Sequence, residues 1–140
     1  MAKILIVEDD IELLEVYSDV LKAEGYEIDT ADDGEKALNK MIKGGYDLVL
    51  LDIILPKING LEVMEQLKGL PPPQNPNKCV IFLTNLDKGE EIEKGLKLAN
   101  GYLIKSQITP GDLIREVGLY LSSSSHPNSQ QQKSPDLSVK

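Results

Sequence analysis

Four clusters of polar residues in this 140-residue chain each follow directly on a short apolar run. Glu8-Asp9-Asp10 follow residues 4–7, Asp52 follows residues 48–51, Thr84-Asn85 follow residues 79–83, and Lys105-Ser106 follow residues 102–104. Carboxylates gathered in one shallow site repel. Two unit charges about 4 Å apart cost about 4 kcal/mol at an effective dielectric near 20. Lys105 supplies one compensating charge, and the rest suits a hard divalent cation with oxygen ligands, Mg2+ above all. Calcium fits less well, because the chain has no D-x-[DN]-x-[DN]-G loop. A carboxylate beside a metal, a lysine and a hydroxyl meets the requirements of an aspartyl phosphate. Asp52 would attack phosphorus in line, Mg2+ and Lys105 would neutralise the phosphoryl oxygens, and the Thr84 hydroxyl would donate a hydrogen bond.

For these residues to meet, the runs that precede them must lie side by side. The runs at 4–7, 48–51, 79–83 and 102–104 are apolar at every position, as expected of central parallel strands. Residues 26–31 alternate apolar with polar and read as an edge strand. Between the strands, apolar residues recur at helical spacing, as in Leu13, Val20 and Leu21, in Ala37, Leu38 and Met41, and in Leu61, Met64 and Leu67. Ile92, Leu96 and Ala99 predict a fourth helix, and Leu113, Val117 and Leu121 a fifth. Gly25, Gly44-Gly45 and Gly69 stand where helices should stop, and Thr109-Pro110 where the last should start. The pattern βαβαβαβαβα predicts an α/β doubly wound, five-stranded parallel sheet of order 2-1-3-4-5, the flavodoxin-like (βα)5 arrangement. Its ligands bind at the carboxyl ends of the strands.

Composition narrows the function classes. Fifteen Lys and Arg against 23 Asp and Glu give a formal charge of −8, which argues against direct nucleic-acid binding. The longest apolar run, residues 79–83, falls far short of the roughly 20 residues needed to cross a bilayer. Met1-Ala2-Lys3 leads into the first strand without a signal-peptide layout, so a cytoplasmic protein with no membrane contact is expected. One cysteine, Cys79, and one histidine, His126, exclude an internal disulfide, a multi-cysteine metal site and a histidine-based zinc site. An ionised carboxylate nucleophile needs no base, so the scarcity of histidine leaves the chemistry at Asp52 untouched. Residues 70–77 contain four prolines and cannot be helical; residues 122–140 are rich in Ser and Gln and are expected to be a disordered tail beyond a domain at 1–121.

The chain resembles the receiver domains of bacterial and archaeal two-component response regulators over about residues 2–121. The resemblance rests on residues 3–10 (KILIVEDD), on residues 47–56 (DLVLLDIILP) with Gly60, on Phe82-Leu83-Thr84, and on residues 101–105 (GYLIK). Each motif alone is weak, but four in order at family spacing are highly specific. The resemblance implies that Glu8 and Asp9 are the acidic pair that holds Mg2+. It makes Asp52 the phosphorylated residue and a metal ligand, with Ile54 a ligand through its backbone carbonyl. Thr84 and Tyr102 become the switch pair, and Lys105 the phosphate-binding lysine. Three positions depart from the common pattern: Ser106 stands where a proline usually follows the lysine, Asn59 where Asp is frequent, and Asn85 where a small residue follows the threonine.

The expected function is that of a single-domain response regulator, because only residues 122–140 follow the last predicted helix. Its catalysis would be confined to its own phosphorylation and dephosphorylation. The donor would be a histidine kinase or histidine phosphotransfer protein, with a kinase helix docking beside the first helix. The output would pass through the face of the fourth helix, fifth strand and fifth helix to a protein target, with a phosphorylation-dependent homodimer as a further candidate. Three other readings compete. A phosphorylation-independent binding module is disfavoured because no acidic or lysine position is missing. A haloacid-dehalogenase-like phosphatase needs a second Asp two residues after the nucleophile, where this chain has Ile54. A flavodoxin-like carrier would meet its flavin phosphate with Glu8-Asp9-Asp10, which repels it. Plainer roles remain for single residues: Asp9 with Glu12 and Asp87 with Glu90 as capping boxes, Tyr102 as core, and Cys79 as inert packing.

Overall fold

The computed structural model describes residues 1–85, 93 and 97–124. Five strands, β1 (Lys3–Val7), β2 (Glu27–Ala31), β3 (Leu48–Leu51), β4 (Val80–Thr84) and β5 (Gly101–Ile104), form one parallel sheet of order β2-β1-β3-β4-β5. Four helices are described: α1 (Ile11–Ala23), α2 (Gly34–Lys43), α3 (Gly60–Lys68) and α4 (Pro110–Ser124). The predicted helix around Ile92 and Leu96, the Asp87–Glu90 capping box and His126 lie outside the described residues. The last helix runs through Ser124, three residues past the expected domain end.

Strand alternation divides the core between the two sheet faces. Leu5, Val7, Val49, Leu51 and Phe82 pack with α2 and α3. Ile4, Ile6, Leu48, Leu50 and Ile81 pack with α1 and α4. Both faces of β1, β3 and β4 are therefore covered, which explains their unbroken apolar sequences. β2 carries Glu27 exposed and Ile28, Asp29 and Thr30 half-buried, as befits an edge. Cys79 sits in the second cluster, 3% exposed, and burial pushes its thiol pKa up to about 11, so it is inert packing.

Helix starts follow local chemistry. Asp33 caps α2 through the Lys36 amide at 2.7 Å. Asn59 and Glu62 form a reciprocal capping box on α3, and Thr109 and Asp112 exchange the same pair of bonds at α4. Asn and Asp cap equally well, so the Asn59 departure changes nothing here. At α1 the cap is Asp10, which accepts from the Leu13 amide at 3.3 Å. The plainer role weighed for Asp9, the helix cap, thus falls to the next residue, while the Asp9 carboxylate lies with Glu8 and Asp52 at the strand ends. Residues 70–77 are non-helical, and Asn77 ties them to the end of α2 by donating to the Met41 carbonyl at 2.9 Å.

The loop after β3 is closed tightly. The Gly60 amide donates to the Ile53 carbonyl at 2.8 Å, and a Cβ at Gly60 would collide with the Asp52 carbonyl oxygen. Within this loop Lys57 adopts φ 74°, a left-handed conformation unusual for a side-chain-bearing residue. Gly60→Ala should destabilise the fold by about 1–3 kcal/mol, the usual range for overpacking. Urea unfolding monitored by circular dichroism measures the loss.

Candidate functional site at the carboxyl ends of the strands

Glu8 and Asp52 are the first residues beyond β1 and β3, adjacent strands, and the backbone continues to hold them in place. The Asp52 amide donates to the Val7 carbonyl at 3.2 Å and the Glu8 amide to the Ala31 carbonyl at 3.1 Å. Both side chains are buried, Glu8 at 1% and Asp52 at 3% exposure. Lys105, the first residue after β5, reaches back across the sheet, and its Nζ donates to Glu8 Oε1 and to Asp52 Oδ2, each at 2.8 Å. The second Glu8 oxygen accepts from the Asp10 amide at 3.0 Å. Carboxylate oxygens of Glu8, Asp9 and Asp52 all lie within 4.8 Å of one another.

Thr84 is the last residue of β4 and fully buried. Alternation puts it on the same sheet face as Phe82, whose register partner is Tyr102. Tyr102 is half-buried and packs against the cluster shared with α2 and α3, so the core role expected from its residue type is present. Ile54 is 61% exposed, and because its side chain is a hydrocarbon its backbone carbonyl is the one oxygen it can offer. One feature escaped the sequence, and one departure marked there gains a partner. The Tyr17 ring is buried close enough for the charges of Lys105, Glu8 and Asp52 to act on its hydroxyl, although burial itself is the main cause of its raised pKa. Asn85 accepts a hydrogen bond from the Ser106 amide. Tyr17 lies on the apolar stripe of α1 and gave no signal of its own.

Burial raises the pKa of Glu8, against the pull of its Lys105 and Asp10 hydrogen bonds. Burial likewise raises that of Asp52, with Lys105 and the Ile54 and Ile53 amides pulling the other way. For Lys105, burial favours the neutral amine, but the hydrogen bonds to Asp52 and Glu8 outweigh it and hold the ammonium above its ordinary value. Among the described residues, one ammonium against three carboxylates leaves the cluster with two negative charges uncompensated. The Oδ1 of Asp52 is buried and finds no hydrogen-bond partner among the described residues. Three hard oxygen donors, a surplus of two negative charges and an unsatisfied buried oxygen together fit a small divalent cation.

Such a site on such a sheet defines a class, and the comparisons agree with it. The family model for the response regulator receiver domain matches residues 4–117, and the chain belongs to that family. It is a receiver domain of two-component signalling. A CpxR homolog of Haemophilus influenzae, named a transcriptional regulatory protein, is 35% identical over 130 residues, covering 91% of this chain and 54% of the relative. CpxR of Escherichia coli K12 is 34% identical over 145 aligned residues, covering 99% of this chain and 59% of the relative. The chain thus spans a little over half the length of these curated relatives. A CheY-like receiver domain protein from Methanospirillum hungatei JF-1 superposes with TM-score 0.79 at 28% identity, over 91% of this chain and 99% of that one. The BeF3-activated DrrB receiver domain gives TM-score 0.72 at 31% identity, over 87% and 98%. No helix among the described residues is long and apolar enough to cross a membrane.

The raised carboxyl values have a defined sign. A group whose folded pKa exceeds its unfolded value contributes stability below the unfolded value and loses it as pH rises through the folded one. Glu8 and Asp52 therefore weigh against the metal-free fold at neutral pH, whereas Lys105 supports it until pH passes its own raised value. Asp52→Asn, which removes one buried charge and keeps an acceptor for Lys105, should raise the melting temperature at pH 7 without divalent ions by about 4 °C. The gain should vanish below the ordinary carboxyl range. Calorimetry across pH measures both.

Proposed function

We propose that Asp52 accepts a phosphoryl group from the phosphohistidine of a histidine kinase or histidine phosphotransfer protein. The observation that carries this reading is Lys105 shared between Glu8 and Asp52 while Asp52 Oδ1 stays buried without a partner among the described residues. Glu8, Asp9 and Asp52, with the Ile54 carbonyl, would hold Mg2+, which when bound supplies positive charge to offset the phosphoryl oxygens. Both Glu8 oxygens already accept one bond each, so Glu8 would act through its remaining lone pairs or a bridging water.

An oxygen of Asp52 forms the new bond to phosphorus as the donor's P–N bond breaks, and the imidazole leaves with the electron pair. Desolvation of Asp52 keeps its carboxylate unencumbered by water, and the crevice stays open above it for a donor arriving from outside. The Lys105 ammonium exchanges part of its hold on Asp52 for the incoming phosphoryl oxygens, and the Thr84 hydroxyl donates to another. As Thr84 turns toward the new oxygens it vacates space into which Tyr102 moves, shifting populations at the face of β5 and α4, with which the sequence groups the predicted fourth helix. A protein partner, or a second copy of the chain, reads that face. The names of the curated relatives point to transcription as the process served; the contribution of this chain is the phosphorylation-dependent protein contact.

Incubation with phosphoramidate should add one phosphoryl group by intact mass, dependent on Mg2+ and absent from Asp52→Ala. Lys105→Met should retain the label but acquire it about 100-fold more slowly, the effect of removing one preorganised charge. Label persisting on Asp52→Ala rejects the acceptor, and no label under any condition favours the phosphorylation-independent binding module. With the acceptor established, a beryllofluoride mimic should shift the amide resonances of residues 97–105, and unchanged shifts reject the switch.

A further inference from the structure

Two of the three positions at which this chain departs from the common receiver pattern, Asn85 and Ser106, are joined by one hydrogen bond. The Ser106 backbone N–H donates to Asn85 Oδ1 at 2.9 Å, across 21 residues of sequence. β4 and β5 are paired in register as far as Thr84 and Ile104. Just past that last pair, the Asn85 side chain carries the connection one step further. Residues Lys105–Gln107 form a single 3-10 turn whose own cap position, Ile104, provides no side-chain hydrogen bond. The first amides of such a turn need partners from elsewhere, and the Asn85 carboxamide answers that of Ser106.

Lys105 therefore sits between two anchored neighbours. Ile104 before it is fixed by strand pairing with Thr84, and Ser106 after it by the side chain that follows Thr84. A lysine side chain is long and flexible, and its reach alone does not fix where its ammonium rests. Here the Nζ divides its bonds between Glu8 and Asp52 at equal distances of 2.8 Å, which requires a defined starting point for the chain. Proline at position 106 has no N–H to donate, so an asparagine at 85 would lose this partner. The two departures match each other.

We propose that Asn85 is a positioning residue for Lys105, acting through the Ser106 N–H. The proposal rests on the reading of Asp52 as phosphoacceptor. Because Asn85 directly follows Thr84, a movement of Thr84 toward a phosphoryl group is passed through one side chain to the turn that carries the lysine. The threonine and the lysine thereby respond together.

The test is labelling by phosphoramidate at saturating Mg2+, read by intact mass, for the wild type, Asn85→Ala, Ser106→Pro, Lys105→Met and their pairwise combinations. Amide hydrogen exchange at Ser106 and thermal melts accompany it. Asn85 is exposed, so Asn85→Ala should fold normally. It should lose Ser106 amide protection and slow labelling about three- to tenfold, the worth of one hydrogen bond. In the Ser106→Pro background, and again in the Lys105→Met background, Asn85→Ala should change the rate less than about twofold, because the bond or its beneficiary is already gone. Labelling of Asn85→Ala at the wild-type rate overturns the proposal while leaving Asp52 as acceptor. Slowing that multiplies in full onto Lys105→Met, or that occurs with Ser106 still protected, overturns it too, since the effect would not run through that bond to that lysine. A wild type that takes no label defeats the phosphoacceptor reading and this proposal with it.

Discussion

The crevice is organised around one ammonium shared between two buried carboxylates. Lys105 meets Glu8 and Asp52 at equal distances, and without it two acids would sit out of water with only backbone amides to oppose their charge. Its presence does not neutralise the site. With Asp9 included, two negative charges remain among the described residues of the cluster, and one oxygen of Asp52 lacks a partner among them. The fold thus maintains a deficit of positive charge at a point open to a cation and a phosphoryl group. That deficit is tolerable because the strands around it are apolar on both faces and supply the stability elsewhere.

Topology turns scattered residues into that arrangement. Parallel strands in the order β2-β1-β3-β4-β5 send every carboxyl end to the same edge of the sheet. The neighbours β1 and β3 then place Glu8 beside Asp52, and β5, two strands farther out, contributes a residue long enough to span the gap. A shorter side chain at position 105 could not reach both acids. The closely packed loop at Gly60 keeps the Asp52 backbone from shifting, and the Asn85–Ser106 bond steadies the turn that carries Lys105. Rigid ends on both sides of the crevice are what make a flexible lysine behave as a fixed charge.

Family membership is shown by the matched model and by relatives that align along nearly the whole chain. Within that family the chain has features of its own. The donor freed by a serine in place of a proline at 106 is taken up by an asparagine in place of a small residue at 85, so two oddities that look unrelated in sequence form one contact. The asparagine at 59 has a local explanation, since it caps α3 as an aspartate would.

Much of this could be read from the residues alone. Unbroken apolar runs marked β1, β3, β4 and β5, alternation marked β2 as an edge, and glycine and threonine-proline punctuation marked helix ends, because each depends on neighbours only a few residues away. The acids, threonine and lysine at the strand ends were equally visible once the strands were placed. What the sequence could not decide was which oxygen faces which partner. The resemblance already set Asp9 beside Glu8 in the acidic pair, but it left the helix cap open, and only the path of the chain out of β1 gives that role to the adjacent and chemically similar Asp10. Tyr17 belongs by pattern to the core stripe of α1, and Asn85 stood out in the sequence as a departure after the threonine with no partner named for it. Their relation to Lys105 arises from contacts between segments many residues apart, which local periodicity does not encode and which packing of the sheet and helices alone brings about.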